Sequence, residues 1–187
     1  MQAIVVHSGE PELVQQAIQG DSSAFGELYQ RTLDAIYRYV YYRVGDVHDA
    51  EDLIEQTYLK AWQALPGYKA VGHPFVCWLY RIAQNLIMDY HRRKKTDVAV
   101  ANDLKIDYER LQSNLLKEVI EAEEAGMLAQ AIGQLTEEQQ QIILLRFVER
   151  LSYTEISRIL DKSEGACRML QNRALMALNQ ILSDGQG

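Results

Sequence analysis

Apolar positions recur every three to four residues over most of this chain, the spacing of a single buried stripe on an α-helix. Read this way, the sequence predicts a short helix from about Glu12 to Ile18, stopped at Gly20. Glycine ends helices well because it adopts the left-handed conformation cheaply. Asp21 then caps a long helix from Ser22 to about Val44, with Phe25, Leu28, Tyr29, Ile36, Tyr39 and Val40 on its apolar side. Gly45-Asp46 ends it. A third helix is expected from about Asp49 to Leu65, closed by Pro66-Gly67, then a loop from Tyr68 to Pro74 and a fourth helix from Phe75 to about Lys95. From Thr96 to about Glu109 the periodicity fades into acidic and small residues, which reads as a linker with a marginal helix beginning near Tyr108. Regular spacing resumes near Gly126. Thr136-Glu-Glu-Gln139 and Ser152-Tyr-Thr-Glu155 are capping boxes, the first opening a helix through Phe147 and the second a short helix to Leu160. Asp161-Lys162 turns the chain, and Ser163 caps a last helix to about Leu182. The expected class is all-α: two small helical domains over 1–95 and 127–187, joined by an acidic linker over 96–126.

Composition narrows the class. A hydrophobic share of 48% and a charged share of 24% suit a soluble globular chain. No apolar run approaches the roughly 20 residues needed to span a bilayer. The opening MQAIVVHSGEPE lacks a basic start and a long apolar core, so no secretory signal is expected. Cys77 and Cys167 lie far apart, which favours a reducing, cytoplasmic setting over a disulfide scaffold.

A net charge of −7 argues against nucleic acid until its location is considered. Residues 1–95 sum to −1, residues 96–125 to −5 and residues 126–187 to −1. Each flanking part is near neutral and can present a local basic stripe, which phosphate contact requires.

Three segments carry candidate chemistry. In the last helix, Cys167, Leu170, Ala174 and Leu178 form one apolar stripe, while Arg168, Met169, Asn172 and Arg173 share another face. With the preceding short helix this is a helix-turn-helix pattern, whose second helix could offer guanidinium forks, an amide and an apolar contact to major-groove base edges. An ordinary helical hairpin with a solvated face fits the same spacing. The second segment is Tyr80–Lys95, YRIAQNLIMDYHRRKK. Ile82, Leu86, Ile87 and Tyr90 bury one side, and Arg81, Asn85, Asp89, Arg92 and Arg93 populate the other. The basic end and the aromatics Trp78, Tyr80 and Tyr90 suit backbone tracking with base stacking on single-stranded DNA, although cations also favour a helix C-terminus for its dipole alone. In the third, Asp49–Gln63, Ala50, Leu53, Ile54, Thr57, Ala61 and Trp62 face a core and leave Asp49, Asp52, Gln56 and Gln63 in an outer row that faces a protein or water.

Taken in order, LVQQAIQGDSSAFGELY, GDVHDAEDLIEQTYLKAW, WLYRIAQNLIMDYHRR, LTEEQQQIILLRFVERLSYTEISRIL and SEGACRMLQNRAL resemble a sigma factor of the sigma-70 family, extracytoplasmic-function (ECF) group. The resemblance covers about Leu13–Arg93 and Ala131–Leu178. It implies a region 2 over about 13–95 and a region 4 over about 127–182. It also implies core RNA polymerase (clamp and flap regions) and promoter DNA as partners, with an anti-sigma factor as a further one. Asp49, Asp52, Glu55 and Gln56 would then dock on the clamp. Asn85 would hold a base flipped out of the −10 element, in a pocket shared with the Tyr68–Phe75 loop. Arg81, Asp89, Arg92 and Arg93 would line the separating strands, and Arg168, Met169, Asn172 and Arg173 would read the −35 duplex. The chain departs from the family pattern at Glu55-Gln56, where Gln-Glu is usual, and at Leu170 and Gln171, where basic and apolar residues are common.

Other classes fare worse. His7, His48, His73 and His91 are scattered, no phosphate loop or nucleophile motif is present, and the pair His73 and Cys77 would need two further metal ligands. No enzyme activity, cofactor or metal is expected. A helix-turn-helix regulator working without polymerase fits the last 50 residues but leaves the N-terminal half unused. A protein-only helical adaptor leaves both arginine-bearing faces unused.

Overall fold

A computed structural model of the chain describes residues 9–69, 72–97 and 131–184. The acidic linker beyond Asp97, the marginal helix near Tyr108 and the opening residues through Ser8 lie outside these. The N-terminal unit comprises α1 (Glu10–Ile18), α2 (Ser22–Val44), α3 (Val47–Ala64), a 3-10 turn at Leu65–Gly67 and α4 (Phe75–Asp97). The C-terminal unit comprises α5 (Glu137–Ile143), a π-helical turn at Leu144–Val148, α6 (Tyr153–Leu160) and α7 (Glu164–Asp184). The described residues are all-α, with no strand among them.

Local chemistry sets the boundaries. The Asp21 carboxylate accepts from the amides of Ser23 (2.8 Å) and Ala24 (3.2 Å) and so starts α2. Gly45, at φ 76°, ends it by donating its amide to the Tyr41 carbonyl. The third helix begins two residues before the sequence-based expectation. The Asp46 carboxylate caps it through the Asp49 amide at 3.0 Å, and that bond holds the Asp46 carboxyl below its ordinary range. Both capping boxes form: Thr136 with Gln139 and Ser152 with Glu155 exchange side-chain and backbone hydrogen bonds. Ser152→Ala should therefore destabilise the C-terminal unit by about 1 kcal/mol, read as a lower urea midpoint at unchanged slope.

The largest departure from expectation follows α5. The α-helix expected through Phe147 widens into a π turn, with the Glu149 amide bonded to the Leu144 carbonyl at 2.9 Å. Arg150 then takes φ 55°, a left-handed conformation uncommon outside glycine and asparagine. Together these turn Glu149 inward, where it is buried. Periodicity missed the change because one π turn displaces the pattern by less than a residue.

Packing follows the stripes. Leu28, Ile36, Val40, Phe75, Leu79 and Ile87 are buried in the N-terminal core, and Ile142, Leu145, Leu151, Ile156, Cys167 and Ala174 in the C-terminal one. Tyr29 and Trp62, expected on core-facing sides, sit at the edge with 38% and 37% exposure. Each lays its ring against a neighbour, Tyr58 and Phe25 respectively. The two units touch, α6 against α4 and α5 against α2. A buried polar network crosses between them. The Tyr39 hydroxyl donates to Gln84 (2.9 Å) and accepts from Gln141 of α5 (3.0 Å). Arg43 joins it through Gln84 at 2.9 Å.

Candidate nucleic-acid interface

Along α4, Arg81, Asn85, Arg92 and Arg93 are exposed and Asp89 is half-buried, while Leu79, Ala83, Leu86 and Ile87 are buried behind them. The helical repeat of 3.6 residues produces this separation. Asp89 is paired with Arg92, which trims the positive charge at that end. Across a groove from Asp89 and Arg93 stand Asp52, Gln56 and Lys60 of α3. Part of the polar row of α3, Asp49, Asp52 and Gln56, and the C-terminal end of the α4 row, Asp89 and Arg93, thus border one concavity, which spacing could not have shown. Asp52, Glu55 and Gln56 are exposed. Asp49 is not free in the same way, because it accepts from the Tyr90 hydroxyl at 2.6 Å and faces Lys94 at 3.6 Å. Its carboxylate ties α3 to α4.

A second concavity opens at the start of α4, lined by Tyr68, His73, Trp78 and Arg81 and also by Arg158 of α6. Tyr68, Phe75 and Trp78 pack ring against ring there, with centroids 4.5–5.7 Å apart. Residues 70 and 71 of this loop lie outside the described ones. Arg158 carried no signal in the sequence, being one arginine on a short helix; its position depends on how the two units dock.

One expected stacking residue is unavailable. Tyr80 is fully buried and its hydroxyl donates to Glu149 at 2.8 Å, so it presents no face to a base. Burial, then the neighbouring Glu149 charge, holds its hydroxyl far above the ordinary tyrosine range. Trp78 is half-buried, and Tyr90 is engaged with Asp49.

In α7 the expected stripe is present: Cys167 and Ala174 are fully buried, with Leu170 and Leu178 packed beside them. Met169, Asn172 and Arg173 are exposed on another face. Arg168 is more constrained. Its guanidinium donates to Glu164 at 3.1 Å and lies 4.8 Å from the centroid of the Tyr153 ring, which Arg146 also approaches at 4.8 Å. The Tyr153 hydroxyl donates to Gln171 at 2.7 Å. Tyr153, held by Gln171, therefore packs against the first arginine of this exposed face, a contact that sequence spacing does not reveal. Burial pushes the Cys77 thiol up to about 12, so it is almost wholly protonated at neutral pH and a poor nucleophile or metal ligand. Among the described residues no three His, Cys, Asp or Glu side chains converge as a metal site, and no helix is long and apolar enough to cross a membrane.

The comparisons with known proteins agree with this layout. Residues 28–96 match the family model of sigma-70 region 2, and residues 125–178 match that of sigma-70 region 4. The chain is 36% identical over 173 residues to the ECF RNA polymerase sigma factor BldN of Streptomyces coelicolor, covering 92% of this chain and 66% of that protein. It is 30% identical over 179 residues to the ECF RNA polymerase sigma factor SigW of Bacillus subtilis, covering 91% of this chain and 95% of that one. In fold it is similar to CnrH, solved in complex with the cytosolic domain of CnrY, at a TM-score of 0.72 and 24% identity over 94% of this chain and 98% of that one. Two sigma regions matched in order, and a relative aligned along nearly its whole length, establish that the chain belongs to the ECF group of the sigma-70 RNA polymerase sigma factors.

Proposed function

We propose that the chain brings core RNA polymerase to promoters by dividing the work between its two helical units, over 1–95 and 127–187, with 96–126 as the acidic linker. The observation that carries this reading is the pair of exposed polar faces, one on α4 and one on α7, each backed by a core-facing apolar stripe. Asp52, Glu55 and Gln56 dock on the polymerase clamp, and Asp49 positions that row by anchoring α3 to Tyr90. Arg81, Arg92 and Arg93 follow the phosphates of the separating strands beside Asp89. The Asn85 amide, both donor and acceptor, holds the edge of a flipped −10 base. Arg168, Met169, Asn172 and Arg173 read the −35 duplex, while the flap region of the polymerase supports the C-terminal unit. An anti-sigma factor is the third partner, and the cytoplasm is the compartment. The chemistry of transcription belongs to the polymerase; this chain supplies recognition. A regulator acting without polymerase would have no use for the groove shared by α3 and α4.

The test is transcription in vitro with core enzyme. The wild-type chain should direct initiation from a specific promoter, and Asn85→Ala should lower promoter opening about tenfold, as expected for one lost base contact. Permanganate reactivity of the −10 thymines reads opening, and fluorescence anisotropy reads core affinity, which should stay within about twofold. Equal losses in both would remove Asn85 from base capture.

A further inference from the structure

The two reading faces cannot both work in this conformation. Elements named for positions about 10 and 35 base pairs upstream lie roughly 80 Å apart along a duplex that rises 3.4 Å per base pair. In the structure α6 packs directly on α4, and Arg158 of the C-terminal unit lines the same pocket as Arg81 of the N-terminal unit. The units must part before both elements are read, so whatever holds them together controls activity.

Among the described residues, Glu149 provides an ion pair and two further hydrogen-bonding contacts between them. Its side chain is only 4% exposed. It accepts from Arg38 through Nε (3.3 Å) and Nη2 (3.2 Å), and from the Tyr80 hydroxyl at 2.8 Å. Burial works against the Arg38 charge, but the hydrogen bond and charge of Glu149 outweigh it and raise the Arg38 pKa. The backbone is built to deliver this carboxylate: the π turn precedes it and the left-handed Arg150 follows it. Irregular turns of this kind persist where a site requires them. The second link, Gln141 to Tyr39, lies in the same seam.

We propose that Glu149 is a latch: seated on Arg38 and Tyr80, it holds region 4 closed over the −10 side of region 2, and its release is required before the chain can engage both promoter elements. This rests on the promoter-reading roles assigned above. It makes the free chain self-masking, with Arg158 occupying the mouth of the pocket bordered by Trp78 and Arg81. Buried charge suits a switch, because breaking such a pair strands its partner, whereas a hydrated open form satisfies both.

Cys77 supplies a reporter, since it lines that same pocket and is buried in the closed chain. Cys167 is buried on α7, which packs against α5 and α6 of its own unit, and serves as the internal control. In the full chain, Glu149→Gln should speed iodoacetamide modification of Cys77 at least tenfold and leave Cys167 unchanged, as resolved by peptide mass spectrometry. No change at Cys77 would overturn the latch. Should both thiols accelerate together through unfolding, a second variant decides. In a chain carrying Cys77→Ala and Cys167→Ala, Arg38→Cys with Glu149→Cys is joined by a reducible bifunctional thiol reagent. The bridged chain should fail to initiate with core polymerase, and reduction should restore initiation to at least the wild-type level. Equal transcription by bridged and reduced chains overturns the latch. Should the wild-type chain itself fail to initiate, the promoter-reading roles fall, and the thiol measurement, which needs neither polymerase nor DNA, still decides whether Glu149 closes the seam.

Discussion

Replacing Arg168 and Arg173 together by alanine is expected to erase discrimination at the −35 element. A well-placed side chain on a base edge contributes about 1–3 kcal/mol of discrimination, so the pair carries roughly 2–6 kcal/mol, about thirtyfold at the lower end. The two contributions should be unequal. Arg168 already donates to Glu164 and stacks on Tyr153, so it must exchange an ion pair for its DNA contact, and its net gain is smaller. Arg173 is exposed beside Asn172 and should account for the larger share. Holoenzyme affinity for a cognate promoter and for one with a scrambled −35 element, each across a salt series, checks this. The double variant should lose affinity on the cognate promoter alone, with its salt slope almost unchanged. Equal loss on both promoters would mean that these arginines touch phosphates only and that the bases are read elsewhere.

The stripe opposite that face is legible in the amino-acid sequence alone, because Cys167, Leu170, Ala174 and Leu178 obey the helical repeat and nothing competes for them. Helix ends are legible wherever a side chain closes them locally, as Asp21, Thr136 and Ser152 do. Other features depend on partners distant in sequence, and there the sequence is silent. Tyr80 reads as an outward aromatic until Tyr39 of α2 packs against its ring and Glu149 claims its hydroxyl. Glu149 carries no signal in the sequence, since neither a π turn nor a positive φ at Arg150 leaves a mark on periodicity. Asp49 belongs by position to the outer row of α3, yet it spends its carboxylate on Tyr90 of the next helix. Sequence pattern resolves what one helix does alone and misses where two units dock, and the latch lies at such a contact.

Ile87→Ala should strongly destabilise the N-terminal unit. Ile87 is fully buried on α4, and removing a buried isoleucine side chain beyond Cβ typically costs about 2–5 kcal/mol through lost burial and the cavity left behind. Against a total of roughly 5–15 kcal/mol for a folded domain, that is a large share. The next residue offers the control: Met88 is 52% exposed, and Met88→Ala should shift stability by no more than about 0.5 kcal/mol. Urea titrations followed by circular dichroism should show a lower midpoint for Ile87→Ala at unchanged slope and almost no shift for Met88→Ala. Similar midpoints for the two would mean that Ile87 does not pack in the core. The consequence reaches function because Ile87 and Asn85 sit on opposite sides of one rigid helix. Promoter opening by Ile87→Ala should fall in proportion to the folded fraction and recover on cooling toward the stability maximum. The Asn85→Ala deficit should persist there, since it removes a contact and leaves the scaffold intact.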